Sequence, residues 1–306
     1  MKHGHEDDAQ SVPARRPTPE ALLRLSSMYL RARAIVDGHF SGQHRSRSKG
    51  ASVEFADHRE YAPGDDTRHL DWRLYARSGR DFVKEFDAET NLFVYLIVDI
   101  SRSMAYPSGG LTKLDYAALL AAGLSYLAWR QRDAPGLFLI DNELRLSLPP
   151  LTQRGHLARI MDALEQLRPG GGTDIETALG GCAALASRRG LVVFISDLWA
   201  PADNITRSLR FFRHRGHDVL VFHVLHRDEL DFPFRGSWIF LDAETGSKHP
   251  ADASAVRAAY LEALHTHMLT LRDQLRRHDI DYHLVSLSHP FDAALSAVLA
   301  RRQRLK

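Results

Sequence analysis

An acid and two hydroxyl groups directly follow one long apolar run of this chain. The run from Leu92 to Val98 leads into Asp99, Ser101 and Ser103. A buried strand that ends here delivers a carboxylate and two hydroxyls to one rim of a sheet. These hard oxygen ligands suit Mg²⁺ or Mn²⁺ better than zinc or copper. The same side chains could instead cap the next helix or close a turn, which is their commoner role.

Two further oxygen-bearing side chains stand at comparable positions later in the sequence. Thr173 follows glycines 170–172 directly before a predicted helix, and Asp197 ends the buried run from Leu191 to Ser196. Ligands of an open parallel sheet sit outside the carboxyl ends of its strands. Taken singly, each residue is explained as a helix cap. Together, the five favour a convergent oxygen site for a divalent cation.

Strands and helices alternate along the chain after Asn91. Apolar spacing predicts strands at 92–98, 136–140, 144–148, 191–197, 218–225 and 282–287, and helices at 113–130, 153–167, 174–188, 203–216, 251–278 and 291–301. The link at 141–143 is short enough for a hairpin, which makes one strand antiparallel. The pattern predicts an α/β fold with a doubly wound, mainly parallel sheet and one antiparallel edge strand.

Changes in composition along the sequence divide the chain into three parts. Residues 1–18 are polar and contain prolines, and we expect them to be a disordered tail. Residues 19–90 combine a predicted helix from Leu22 to Val36 with short β-prone pieces between glycines, prolines and charges, which indicates a small β-rich subdomain. Residues 91–306 form the main domain, with an irregular insertion near 228–250 in which 238–241 is predicted as a strand and 244–246 as a turn.

Composition narrows the classes of protein that this chain can belong to. Its 306 residues are 44% hydrophobic and 25% charged, with a formal net charge of +2, as in ordinary soluble proteins. The near-neutral charge, and basic runs without interleaved aromatic residues, argue against a nucleic-acid partner. The single cysteine, Cys182, excludes an intramolecular disulfide and a cysteine zinc site. No apolar stretch approaches the roughly 20 residues of a membrane-spanning helix. We therefore expect a cytoplasmic protein without stable membrane insertion.

The five oxygen-bearing positions resemble, in order, the metal-ion-dependent adhesion site of the von Willebrand factor A fold. That site reads Asp-x-Ser-x-Ser, then Thr, then Asp, and this sequence supplies Asp99, Ser101, Ser103, Thr173 and Asp197. The resemblance covers the chain from about residue 91 onward. It implies an α/β domain of this type with Mg²⁺ or Mn²⁺ as cofactor, in which one or both acids act through water.

A second block of residues resembles the bacterial family called domain of unknown function 58. The matching positions include Arg59, Tyr61, Pro63, Gly64, Asp65, Asp66, Arg68, Asp71, Trp72 and Arg77. In that family the block precedes a von Willebrand factor A-like domain, and members are typically encoded beside a MoxR-type AAA+ ATPase. The resemblance therefore implies an adaptor or co-chaperone that works with such an ATPase. The block itself either holds the subdomain together through ion pairs or frames a partner surface.

Neutral hydroxyl ligands leave residual positive charge on a divalent ion. We therefore expect a metal-dependent protein-binding adaptor, in which an Asp or Glu of the partner completes the ion's shell. No catalytic residue is predicted, because the sequence contains no Gly-x-Ser-x-Gly, His-Glu-x-x-His or Gly-x-x-x-x-Gly-Lys-Ser/Thr pattern. The alternative is a metal-dependent hydrolase or phosphate-handling enzyme that uses the same oxygen-ligand site.

Overall fold

The computed structural model describes residues 17–43, 58–60, 75, 82–84, 91–107, 110–153, 155–172 and 174–305. The chain divides into two compact units, one of residues 45–91 and the other of residues 1–44 and 92–306. In the smaller unit, strand β1 (His58–Glu60) pairs antiparallel with β2 (Phe82–Lys84). The tail predicted at 1–18 lies outside the described residues, apart from its last two positions.

The larger unit contains the following elements. Its strands are β3 (Phe93–Asp99), β4 (Ala134–Ile140), β5 (Leu144–Leu148), β6 (Gly190–Ser196), β7 (Asp218–Leu225), β8 (Ser237–Leu241), β9 (Lys248–Asp252) and β10 (Ile280–Ser286). Its helices are α1 (Pro19–Leu22), α2 (Met28–Gln43), α3 (Lys113–Arg130), α4 (His156–Glu165), α5 (Ile175–Leu185), α6 (Ala202–His214), α7 (Arg227–Asp231), α8 (Ala253–Arg277) and α9 (Asp292–Arg304). No helix in the described part of the chain is long and apolar enough to cross a membrane.

Six strands form one sheet in the order β10-β7-β6-β3-β4-β5. All neighbours are parallel except β4 and β5, which run antiparallel at one edge. The prediction of a mixed α/β fold with a mainly parallel sheet and an antiparallel edge strand is confirmed. The chain leaves β3 towards β4 and β5, then returns to place β6 on the other side of β3. A topological switch point therefore lies between β3 and β6.

Helices cover both faces of the sheet. Val94, Leu96 and Val98 of β3 belong to a core shared with α2, α3, α4 and α9, whereas Tyr95 and Ile97 belong to a second core shared with α5, α6 and α8. A strand buried on both faces needs apolar residues at every position. This requirement explains why β3 reads as an unbroken apolar run.

Helix α3 lies at the centre of the first core, and almost all of its residues are buried. It begins with a capping box, in which the Thr112 hydroxyl and the Asp115 carboxylate each bond the other residue's backbone N–H. Helix α2 packs on it so closely that a Cβ at Gly123 would lie 3.0 Å from Cγ2 of Ile35. Because of this packing, α2 belongs to the larger unit, whereas the sequence grouped it with the β-rich segment.

The first helical segment is interrupted, although its spacing predicts one helix from Leu22 to Val36. Helix α1 ends at Leu22, and α2 begins at Met28. The Arg31 guanidinium fixes the break, because its Nε donates to the carbonyl oxygen of Leu25 at 3.0 Å and its Nη2 to that of Leu23 at 3.3 Å. Carbonyls at a helix end need such external donors.

The strand predicted at 238–241 is present in the segment at 228–250, and the segment also contains a helix and a second strand. Helix α7 is followed by an antiparallel hairpin of β8 and β9, with Trp238 opposite Ala251. Pro250 lies in β9, which is an edge strand, and edge strands tolerate the missing N–H of proline.

Candidate functional site

The ends of β3 and β6 bring two acids to the same edge of the sheet. Asp99 is the last residue of β3, and Asp197 directly follows β6; their exposed fractions are 1% and 2%. The Ser196 hydroxyl joins the two strands by donating to Oδ2 of Asp99 at 2.6 Å. The backbone N–H of Leu198 in turn donates to the Ser196 hydroxyl at 3.0 Å. Both acids therefore lie at the same edge of the sheet, as the sequence predicts.

The two predicted serines lie beside Asp99. The Ser101 backbone N–H donates to Oδ1 of Asp99 at 2.8 Å, which folds the loop back over the strand end. The Ser101 hydroxyl, which is fully buried, lies 3.1 Å from the Ser103 hydroxyl on a short 3-10 helix, Arg102–Ala105. Two hydroxyl oxygens and a carboxylate are thus held together at the switch point.

The glycine-rich loop before α5 runs alongside the Asp99 loop. The Gly170 N–H donates to the carbonyl of Ile100 at 2.5 Å, and the Arg102 N–H donates to the carbonyl of Gly171 at 3.1 Å. Thr173, the fifth predicted ligand, lies outside the described residues. The described glycines before it therefore lie against the backbone of the serine loop.

Asp141, at the end of β4, anchors this glycine loop. Its carboxylate accepts the Gly171 N–H at 2.9 Å and two contacts from Arg145 at 2.8 and 2.9 Å. Burial raises its pKa, but the Gly171 N–H and Arg145 outweigh that effect and hold the pKa below its usual value. A side chain at Gly170 would overlap the carboxylate of Asp141, so close packing requires glycine there.

A buried lysine joins Asp197 to a third acid. Lys113 is 1% exposed, and its Nζ lies 2.7 Å from Oδ2 of Asp197 and 2.7 Å from Oε1 of Glu229. It is the first residue of α3, where the helix dipole disfavours a cation. Burial lowers its pKa, but Asp197 and then Glu229 raise it by more, so the ammonium stays charged.

Burial also dominates the ionisation of Asp99. Loss of solvent, followed by the negative charge of Asp197, raises the pKa of Asp99 to about 6, against the opposing hydrogen bonds from Ser196 and Ser101. The group is mainly a carboxylate at neutral pH. Three carboxylates and one ammonium leave this cluster two negative charges in excess when Asp99, Asp197, Glu229 and Lys113 are all ionised. Such an excess favours a cation.

His223 supports Asp197 from behind. Its Nε2 donates to the backbone carbonyl of Asp197 at 2.9 Å, which makes Nδ1 the acceptor for the Tyr282 hydroxyl at 2.7 Å. Burial lowers the pKa of His223 to about 3, so the ring is neutral. The chain of hydrogen bonds links the residue after β6 to β7 and β10.

The oxygen donors at this edge fit a hard divalent cation. Asp99, Ser101 and Ser103 supply one carboxylate and two hydroxyls, the ligand types that Mg²⁺ and Mn²⁺ accept. Within the described residues there is no group of three or more His, Cys, Asp or Glu arranged for a metal, so any site here depends on the serine hydroxyls. Asp197 differs from Asp99 and the two serines because its carboxylate already forms an ion pair with Lys113.

Sequence reasoning missed three contributors to this edge. Ser196 stands next to Asp197 at a strand end, and that position is the signal that could have shown it. Lys113 stands at the first position of α3, where the sequence alone is typical of an exposed surface lysine. Glu229 carries no local signal, because its role comes from a contact 116 residues away.

The family-like block is largely outside the described residues. This holds for Tyr61, Pro63, Gly64, Asp65, Asp66, Arg68, Asp71, Trp72 and Arg77. The backbone of Arg59 is described, in β1. Whether the block is structural or a partner surface therefore stays a prediction.

Fold and site together define an α/β protein with an oxygen-rich site at the switch point of its sheet. The chain belongs to the family described as "Protein of unknown function DUF58", whose model matches residues 57–270. This confirms the resemblance inferred from the sequence block. Uncharacterized proteins of Mycobacterium tuberculosis and Mycobacterium bovis are 29% identical over 231 residues, which cover 74% of this chain and 72% of theirs.

Solved structures that match part of this chain include two from Bacteroides. An aerotolerance-related membrane protein of Bacteroides fragilis is 19% identical, with a TM-score of 0.47, and the match covers 68% of this chain and 96% of that one. The conserved hypothetical protein BatB of Bacteroides thetaiotaomicron is 17% identical, with a TM-score of 0.46, and the match covers 69% and 98%.

Proposed function

We propose that this protein is a divalent-cation-dependent protein-binding adaptor with a domain of the von Willebrand factor A type. The observation that carries the proposal is the hydroxyl pair of Ser101 and Ser103, 3.1 Å apart, beside the buried carboxylate of Asp99. A buried and a half-buried hydroxyl at a switch point, with an excess of negative charge around them, suit a hard cation. Mg²⁺ or Mn²⁺ is the proposed cofactor.

In this proposal each residue has a distinct role. Asp99, Ser101, Ser103 and Asp197 would surround the ion, Thr173 would join them as the resemblance implies, and one or both of the acids would act through water. When bound, the cation supplies a positively charged position that accepts an Asp or Glu of the partner protein. The Ser196 hydroxyl holds the Asp99 carboxylate in place, because it donates to Oδ2 at 2.6 Å.

The surroundings of the site favour binding over bond cleavage. A general base needs a free proton acceptor with a pKa near the working pH, and Asp99, with a pKa of about 6, already accepts hydrogen bonds from Ser196 and Ser101. His223, behind Asp197, has both ring nitrogens engaged and a pKa of about 3, so it does not fill that role. Lys113 is held charged between two carboxylates and is therefore not a nucleophile. We accordingly propose a non-enzymatic role.

The proposed partner is a MoxR-type AAA+ ATPase, with the adaptor acting as a co-chaperone in the maturation of proteins or complexes. Support for this partner comes from the family resemblance of the block at 54–86, and the carboxylate-capturing site offers a means of contact. We also propose a cytoplasmic location.

The test compares Mg²⁺ binding and partner capture in matched variants. Titration calorimetry should show Mg²⁺ binding at least about tenfold weaker in Asp99→Asn than in wild type. Asp273→Asn, which alters an exposed acid on α8, serves as the control. Capture of the purified MoxR-type ATPase from the same organism should require Mg²⁺, fail with chelator and fail with Asp99→Asn. Equal Mg²⁺ affinity in wild type and Asp99→Asn would refute the metal site, and capture that survives chelator would refute the gated partnership.

A further inference from the structure

An open groove lies beside the candidate site, formed largely by the segment that the sequence left unassigned. Its volume is about 750 Å³, and Arg102 and Tyr106 of the serine loop line it together with Asp228 and Glu229 of α7. Its remaining wall, here called the aromatic wall, consists mainly of Phe232, Phe234, Trp238, Phe240 and Tyr260. The groove thus joins the loop after β3 to the hairpin of β8 and β9.

The aromatic wall is built before any partner arrives. The ring centroids of Phe232 and Tyr260 are 4.7 Å apart, and those of Phe234 and Trp238 are 5.2 Å apart. Offset and edge-to-face contacts at such distances hold rings in fixed positions. The wall therefore offers a preformed surface, which reduces the entropy lost when a partner side chain binds.

The hairpin also exposes large apolar side chains at the groove. Ile239 is 66% exposed, Leu241 is 64% exposed and Trp238 is 47% exposed. Three large apolar residues of one five-residue strand are therefore exposed where the strand lines the groove, and exposed apolar surface of this kind marks interaction sites.

One cation lines the groove together with two acids. Glu229 contacts the Lys113 ammonium at 2.7 Å, and Asp228 accepts the Tyr106 hydroxyl at 2.9 Å. Among the described residues that line the groove, Arg102 is the only cation; it donates to the carbonyl oxygen of Glu244 at 3.3 Å and makes no ion pair with a described residue. Arg102 therefore offers a carboxylate of the occupant a direct contact.

One continuous segment can reach both the groove and the candidate metal site. Arg102, which lines the groove, lies between Ser101 and Ser103 in sequence. Glu229, which also lines the groove, shares the Lys113 ammonium with Asp197. The groove and the candidate metal site are therefore adjacent. When an acid of a partner segment binds at the metal site, the residues next to it in that segment lie at the groove.

We propose that the groove is the recognition surface for a partner-protein segment in which an Asp or Glu lies close in sequence to a bulky apolar or aromatic residue. The acid is directed to the Asp99 edge and to Arg102, and the apolar side chain packs against the aromatic wall and Leu241. This proposal deepens the metal-dependent binding function and rests on it.

Selection from random peptides displayed on phage tests the proposal without knowledge of the natural partner. The immobilised wild-type protein is used with Mg²⁺, and enriched peptides are then synthesised and titrated against variants. We expect sequences that pair an acid with Trp, Phe, Leu or Ile. The variants Leu241→Ser and Ile239→Ser, both at exposed positions, should bind these peptides about tenfold more weakly. Leu185→Ser, a matched exposed leucine on α5 outside the groove, should bind them as wild type does.

The outcomes separate this proposal from the one on which it rests. Peptides that need Mg²⁺ and Asp99 but bind Leu241→Ser as tightly as wild type would refute the groove as the recognition surface. The proposed metal-dependent function would be unaffected. Peptides that need Leu241 but bind equally with chelator would overturn the metal-dependent function and with it the acid-to-metal half of this proposal. Enrichment of no sequence, or of acidic sequences without an apolar residue, also overturns the groove. Binding of a small apolar dye without enrichment of any peptide would overturn the proposal and identify the groove as a small-molecule pocket.

Discussion

Replacing Lys113 with methionine would remove one ammonium from between two acids. Methionine keeps the length and apolar stem of lysine but carries no charge. The lysine Nζ lies 2.7 Å from Oδ2 of Asp197 and 2.7 Å from Oε1 of Glu229, and its side chain is 1% exposed. The change therefore leaves two carboxylates without their cation in a largely dry environment.

The structure sets the size of the expected effect. At an effective dielectric constant of about 20, each 2.7 Å contact corresponds to a Coulomb attraction of about 6 kcal/mol, which desolvation of the ions largely offsets. Removing one partner of a buried pair costs about 3–5 kcal/mol, because the other partner keeps its desolvation penalty. Glu229 is 14% exposed and regains some hydration, whereas Asp197 is 2% exposed and does not. We expect a loss near the lower end, about 3 kcal/mol in the free energy of unfolding.

Urea denaturation of a double-mutant cycle measures this loss directly. Lys113→Met and Glu229→Gln are made singly and together, with Lys248→Met as a control at an exposed lysine on β9. The double variant should lose less than the sum of the single losses, by about 1–3 kcal/mol. Mg²⁺ should stabilise Lys113→Met more than wild type, because the variant site has lost a positive charge. A loss below about 1 kcal/mol in Lys113→Met, or strict additivity in the cycle, would refute the reasoning.

Three further predictions concern packing and burial. Asp141→Ala should lower the free energy of unfolding by about 1–3 kcal/mol and weaken Mg²⁺ binding, because the Gly171 N–H and Arg145 lose their acceptor; unchanged calorimetric affinity would contradict the anchoring role. Gly190→Ala should cost about 3 kcal/mol or more in thermal unfolding, since its Cβ would overlap the Phe93 carbonyl oxygen; a stability equal to wild type would contradict this packing. Burial lowers the pKa of His217, so the folded protein favours the neutral ring. The free energy of unfolding should therefore fall as pH drops below about 6.5, by up to about 1.4 kcal/mol per pH unit. His217→Phe should make this pH dependence shallower in denaturant titrations, and an unchanged slope would contradict the prediction.

The sequence was sufficient where the signal is local. Asp99 and Asp197 each end an apolar run, and parallel strands that are buried on both faces put such ends on one rim. The serine spacing after Asp99 is also a local property of the loop. For these reasons the amino-acid sequence alone places four of the five predicted ligands together, and Thr173 stays a prediction.

The remainder of the site depends on long-range contacts that oppose local rules. A lysine at the first position of a helix opposes the helix dipole, so Lys113 reads as a solvated surface residue. A buried ammonium is stable there because it contacts Asp197 and also Glu229, which is 116 residues from Lys113 in sequence. The periodicity of the sequence does not predict such a contact.

Side-chain contacts also explain the errors in element boundaries. Leu22 to Val36 has helical spacing throughout, but the Arg31 guanidinium caps the carbonyls of Leu23 and Leu25 and ends the first helix early. In the hairpin of β8 and β9, Pro250 argues against a strand, yet its position at an edge removes the cost.

The candidate site spans two strands that are distant in the chain. Asp99 and Ser196, whose hydrogen bond closes it, are 97 residues apart, so the site is complete only when distant parts of the chain have come together. A ligand held by both strand ends therefore binds only after β3 and β6 have paired. It stabilises that pair by mass action, about 1.4 kcal/mol for each tenfold rise in ligand concentration above Kd. Occupancy would then report that folding is complete, through slower amide exchange in both strands.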